Sequence, residues 1–141
     1  MINTDCVEEV IKLIKEDKTV DISTLITPIC NDEDVDDPNI VKCVADINGY
    51  ALYFSRSKIP YERNLGIAKF FKHIGIYGYR RDSLLKMTQL PQPEMERAES
   101  LEQLRALYNG MRIKTSIVEY KAIGIDTIED FNAFKKLAES K

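Results

Sequence analysis

At 141 residues and 44% hydrophobic content, the chain has the length and apolar content of one domain built on one core. Twenty Lys and Arg against 23 Asp and Glu leave a net charge of -3, without the basic face that binding nucleic acid requires, and no apolar run is long enough to cross a bilayer. Cys6, Cys30 and Cys43 form no Cys-x-x-Cys pair and no signal-peptide pattern opens the sequence, so the expectation is a cytoplasmic protein with reduced thiols and with neither nucleic acid nor a membrane as partner.

Val7, Val10, Ile11 and Ile14 recur at i, i+3, i+4 and i+7 with Thr4 or Asp5 as N-cap, which predicts an amphipathic helix over residues 1–17. Residues 23–29 are rich in β-branched side chains and read as a strand, followed by a solvated acidic loop over 31–37. Residues 41–46 and 51–55 flank Asn48-Gly49, the signature of a tight hairpin. A strand over 70–79 leads into a short helix over 80–88, stopped by Pro91 and Pro93.

Residues 99–109 place Leu101, Leu104 and Tyr108 on one helical face, with Gly110 just past the end. Alternation over residues 113–119 predicts a further strand, and Asp126-Thr127 opens a last helix with a capping box from Thr127 to Asp130. The order predicts an α/β fold, a mixed sheet with flanking helices: the hairpin pairs antiparallel and the later crossovers pair parallel.

The strand over 70–79 carries the chemistry. With a period of two, His73, Gly75, Tyr77 and Tyr79 share a face that reads as polar and open, a hollow floored by glycine and walled by rings, which suits a polyhydroxylated ligand. Arg56 ends the second hairpin strand, where a planar guanidinium could clamp the carboxylate of an acid sugar, or pair with a neighbouring Asp or Glu. Glu102 and Gln103 set an acid beside an amide on a helix, able to accept from and donate to hydroxyls, although both are also ordinary helix formers. Asp126 lies at a strand-to-helix junction, where it could cap the helix or hold a divalent metal with a second ligand from elsewhere.

Asn39-Ile40-Val41-Lys42, the run Tyr50 to Arg56, Ile59-Pro60-Tyr61, the run His73 to Arg80, residues 98–105 and Asp126-Thr127 together resemble the 3-deoxy-manno-octulosonate cytidylyltransferases in order and spacing. The resemblance implies a Rossmann-like nucleotide-diphospho-sugar transferase fold. It implies an enzyme that activates the eight-carbon acid sugar Kdo with CTP, giving CMP-Kdo and diphosphate for lipopolysaccharide synthesis, with Mg2+ and as a homodimer. On matching positions His73, Tyr77, Glu102 and Gln103 would hold the sugar, Arg56 would sit near its acid end, and Asp126 would be one metal ligand.

The sequence also departs from the family. Relatives begin with a strand and a glycine-containing basic loop for the triphosphate, whereas none of the six glycines here, Gly49, Gly66, Gly75, Gly78, Gly110 and Gly124, lies in such a loop. The resemblance therefore implies the C-terminal, sugar-binding and dimerising part, residues 1–141 as one domain, without the CTP-binding half and inactive alone. Ile128 replaces the usual proline after Asp-Thr, and the segment 64–69 is short. Two further readings remain open at this point: a non-catalytic module that binds an acid sugar or dimerises, and a cytidylyltransferase for another acid sugar such as a sialic acid.

Overall fold

A computed structural model describes residues 4–119. The elements run α1 (Thr4–Glu16), β1 (Ile22–Pro28), α2 (Asp32–Asp36), β2 (Lys42–Ala45), β3 (Ala51–Ser55), β4 (Phe71–Tyr79), α3 (Arg81–Gln89), α4 (Glu94–Glu99), α5 (Gln103–Tyr108) and β5 (Ile113–Ile117). One five-stranded sheet has the order β3-β2-β4-β1-β5. Strand β1 pairs antiparallel with β4 and parallel with β5, and β2 pairs antiparallel with both β3 and β4. The mixed sheet expected from alternating strand and helix signals is therefore present.

Two boundaries differ from the sequence expectation. The acidic run expected as a loop contains the short helix α2. The helix expected over 99–109 begins only at Gln103, as α5, and residues 94–99 before it form a separate, unexpected helix, α4, which ends where Ser100 adopts a left-handed conformation at φ 52. A serine there carries no glycine-like signal, so the break is not visible in the residue pattern. The strand and helix expected around Asp126, with Asp126 itself, lie outside the described residues.

Helices cover both faces of the sheet. On one, α1 buries Cys6 and Val10 against Leu25 and Ile74. The stripe read from Val7, Val10, Ile11 and Ile14 is rotated in the fold, leaving Val7 42% and Ile11 46% exposed. On the other face Met87 of α3, Leu101, and Leu104 and Ala106 of α5 pack with Ile22, Ile26, Phe54 and Ile113. The hairpin turns at Gly49, whose φ of +78 only glycine adopts freely and whose Cβ would meet the Thr115 carbonyl oxygen at 3.0 Å. The Gly49 carbonyl in turn accepts from the Thr115 backbone N–H at 2.7 Å, which ties the turn to β5.

Close approach of α1 to the sheet depends on Gly78. A Cβ there would meet Ser23 Oγ at 2.6 Å and Val10 Cγ1 at 2.8 Å, while the Ser23 hydroxyl donates to the Val10 carbonyl at 2.7 Å. Arg80, just past β4, donates from Nε to the Val20 carbonyl and from Nη2 to the carbonyls of Ile14 and Asp17, holding the end of α1 in place. Gly78→Ala is expected to cost about 1–3 kcal/mol through overpacking at the α1 contact. Urea unfolding checks this, and an unchanged midpoint would contradict the packing.

Candidate functional site

Strand β4 is irregular where it matters. Thr24 pairs with Tyr77 but the next residue, Leu25, pairs with Ile74, so Gly75 and Ile76 bulge out without partners on β1. An even number of extra residues preserves the alternation, and His73, Tyr77 and Tyr79 do share a face, with Ile22, Thr24 and Ile26 as their β1 partners. That face is not the open one read from the sequence. It is the core face, covered by α3 to α5, because alternation along one strand does not say which side the helices will cover.

His73 is consequently only 9% exposed. Its ring meets the Phe54 ring edge-on at 5.0 Å and the Tyr77 ring at 5.2 Å, and Tyr77 lies 6.0 Å from Tyr79. Its Nε2 lies 2.9 Å from the Thr24 hydroxyl, which also contacts the Ile76 carbonyl at 2.7 Å and the Ile74 carbonyl at 3.2 Å. Burial lowers the His73 pKa to about 4. Gly75 in the bulge is exposed, and a Cβ there would meet nothing within 4 Å.

Glu102, exposed at the α4–α5 corner, lies near enough for its charge to act on Tyr77 and Tyr79. Its charge, after the larger effect of burial, raises the Tyr79 phenol, and together with burial and Tyr79 it raises that of Tyr77. Both phenols therefore stay protonated and able to donate at neutral pH. Burial also pushes the neighbouring Cys43 thiol up to about 12, so it does not act as a thiolate. Gln103 follows in the first turn of α5 and is buried.

A buried ion pair holds this corner. Arg105 donates from Nε and Nη2 to the two Glu96 carboxylate oxygens at 2.7 and 2.6 Å, and Gln92 adds a bond at 3.0 Å. The bidentate fork joins α4 to α5 across the Ser100 turn and so orients Glu102 between them.

Arg56 is fastened to the same corner. Its Nε donates to the Glu99 carbonyl at 2.7 Å and its Nη1 to the Pro38 carbonyl at 3.0 Å. The Glu99 carboxylate accepts from the Ser55 hydroxyl and the Arg56 backbone N–H. Lys42, fully buried, donates from Nζ to the carbonyls of Asp37, Ile40 and Arg56. Burial lowers its pKa, opposed chiefly by Asp37.

The structure thus brings His73 and Tyr77 together on one face of β4, places Glu102 near enough for its charge to reach the Tyr77 phenol, with Gln103 next to it in the chain, and anchors Arg56 to the adjoining helix end. Asp126 lies outside the described residues. Among the described residues no group of three or more His, Cys, Asp and Glu side chains could hold a metal ion. Sequence reasoning missed Thr24 and Phe54. Both sit inside apolar strands, and only their pairing with residues far along the chain gives them a part in the site.

The pH dependence follows from the lowered His73 pKa. An unfolded histidine takes a proton near pH 6.5 whereas buried His73 takes one near pH 4, so its stabilising effect is complete above the unfolded value and is lost as pH falls through this window. Between pH 7 and pH 4 the chain is expected to lose about 3 kcal/mol more stability than a His73→Phe variant. Urea unfolding at the two pH values reads the difference, and equal losses would contradict a neutral, buried imidazole.

Comparison with known proteins matches this arrangement to one group. A family model described as Cytidylyltransferase matches residues 1–113. The 3-deoxy-manno-octulosonate cytidylyltransferase of Fusobacterium nucleatum is 44% identical over 130 residues, 92% of this chain and 53% of that protein. That of Thermodesulfovibrio yellowstonii is 46% identical over 142 residues, 96% of this chain and 55% of that protein. A solved structure of CMP:2-keto-3-deoxy-manno-octonic acid synthetase complexed with CTP superposes with a TM-score of 0.93 at 39% identity, covering 99% of this chain and 58% of that one. The chain spans about half the length of the curated relatives it matches, and its sheet and flanking helices have the fold of that nucleotide-sugar transferase. On this evidence the chain belongs to the cytidylyltransferase family.

Proposed function

We propose that this chain is the acid-sugar-binding and dimerising part of a 3-deoxy-manno-octulosonate cytidylyltransferase, which converts Kdo and CTP into CMP-Kdo and diphosphate for lipopolysaccharide synthesis. The observation that carries this reading is the contact of the His73 and Tyr77 rings on one face of β4, with the Glu102 charge within reach of the Tyr77 phenol, in a chain of that family. In the reaction the anomeric hydroxyl oxygen of the sugar bonds to the α-phosphorus of CTP. The bond from that phosphorus to the bridging oxygen breaks, diphosphate leaves, and the hydroxyl proton passes to solvent.

The roles supported for the described residues concern the sugar, whose orientation is the main work of a displacement of this kind. Glu102 accepts from hydroxyls, the Tyr77 phenol donates, and Gln103 can do either. Arg56 spends Nε and Nη1 on protein carbonyls and keeps Nη2 for the sugar's acid end. Mg2+ belongs to this reading as well, with Asp126 as one ligand alongside others supplied from elsewhere; it would neutralise phosphate charge when bound. The free thiols of Cys6, Cys30 and Cys43 support a cytoplasmic location.

Assay of the chain with CTP, Kdo and Mg2+, alone and mixed with the CTP-binding half of a relative, tests the proposal. CMP-Kdo is expected in the mixture, and its absence there would contradict the reading. A second reading, a module that binds the sugar without chemistry, is rejected by measurable CTP affinity of the chain alone. Comparing Kdo with a sialic acid in the same binding assay identifies the sugar.

Association is part of the proposal. Pairing of β2 with β4 stops at Lys42 and Lys72, so among the described residues the 74–79 edge of β4 lacks a strand on that side. Val7, Ile11 and Leu52 add exposed apolar surface. Light scattering is expected to give a dimer or larger species, and a monodisperse monomer would contradict this.

A further inference from the structure

We infer that Thr24 is a positioning residue that holds His73 in its Nε2–H tautomer, so that Nδ1 is presented to the site as a hydrogen-bond acceptor for a sugar hydroxyl. The ligand role rests on the acid-sugar reading proposed above, whereas the tautomer does not.

The argument is one of counting protons. The Thr24 hydroxyl carries a single hydrogen, and two of its three neighbours, the carbonyls of Ile76 at 2.7 Å and Ile74 at 3.2 Å, can only accept. The Ile76 carbonyl lies in the β4 bulge and that of Ile74 beside it, where a buried carbonyl without a donor is costly. The hydroxyl proton is therefore committed to the bulge, and Oγ1 faces His73 Nε2 at 2.9 Å with a lone pair. Two lone pairs at that distance repel, so Nε2 must carry the hydrogen and donate. Burial keeps the ring neutral, and a neutral imidazole has only one N–H, which leaves Nδ1 bare.

Nδ1 makes no hydrogen bond among the described residues, and none of their fully buried side-chain nitrogens or oxygens lacks a partner, so it reaches the surface of the site. Gly75, two residues along β4, is exposed and a Cβ there would meet nothing within 4 Å, so the strand is open on that side of the bulge. A bare nitrogen accepts from a hydroxyl and repels a carboxylate. His73 thus reads a hydroxyl of the acid sugar and not its acid group, which falls to a cation such as Arg56.

His73 is the only histidine in the chain, so imidazole 15N–1H correlation spectra of ring-labelled protein report it without overlap. The expected pattern is a protonated Nε2 and a bare Nδ1 in the wild type and in Thr24→Ser, with Thr24→Val shifted towards a mixture. A protonated Nδ1 in the wild type would overturn the inference, and so would a Thr24→Val spectrum unchanged from it. Should Thr24→Val fail to fold, the wild-type and Thr24→Ser spectra still decide.

Addition of Kdo is expected to move the bare Nδ1 signal towards the protonated range, and Thr24→Val to weaken Kdo binding about tenfold while Thr24→Ser retains it. Kdo shifting Tyr77 and Tyr79 but leaving Nδ1 unmoved would overturn the ligand role of His73 with the sugar site intact. No perturbation by Kdo anywhere would overturn the sugar-site reading and the ligand role with it, while the tautomer stands or falls on its own spectrum.

Discussion

The Thr24 hydroxyl, buried in the middle of the sheet, is what lets β4 be irregular without being unstable. A two-residue bulge strips backbone groups of their ladder partners, and in a buried position that is costly unless a side chain takes over. Thr24 does so at Ile76, with a longer contact to the flanking Ile74 carbonyl, and its remaining oxygen lone pair fixes the ring of His73. The same even-numbered insertion keeps Tyr77 and Tyr79 on the face of His73 while opening room at Gly75. One polar side chain therefore links backbone geometry to ring orientation.

The second half of the site is brought to the first by charge confined between helices. Arg105 and Glu96 join α4 and α5 across a left-handed serine. Arg56 and Glu99 tie that corner to the end of β3, and Lys42 pins the Arg56 carbonyl from below with a fully satisfied ammonium. Each charge is bound by partners fixed in the fold, which is the arrangement that gives orientation to a neighbouring residue rather than net stability. Glu102, lying inside this frame, is the exposed acid that acts on the Tyr77 and Tyr79 phenols.

Periodicity made β1, β4, β5, the Asn48-Gly49 hairpin, α1 and α3 legible, because each rests on local pattern or turn chemistry. The break at Ser100 carries no glycine or proline signal, and the short α2 lies in an acidic run whose composition also reads as a solvated loop, so neither was legible. His73, Tyr77, Glu102 and Gln103 stand out as residue types, and the family likeness ordered them. What pattern could not supply was the covering of their face: the sequence reads it as open, while α3 to α5 close most of it. Thr24 is silent for the same reason, since its meaning comes from pairing with residues some fifty positions away.

A crystal structure of the chain with Kdo tests the central claim most directly. The account predicts a sugar hydroxyl within hydrogen-bond distance of His73 Nδ1, a second at the Glu102 carboxylate, and the sugar lying over Gly75. Kdo bound elsewhere, or bound with its carboxylate against the imidazole, would contradict it.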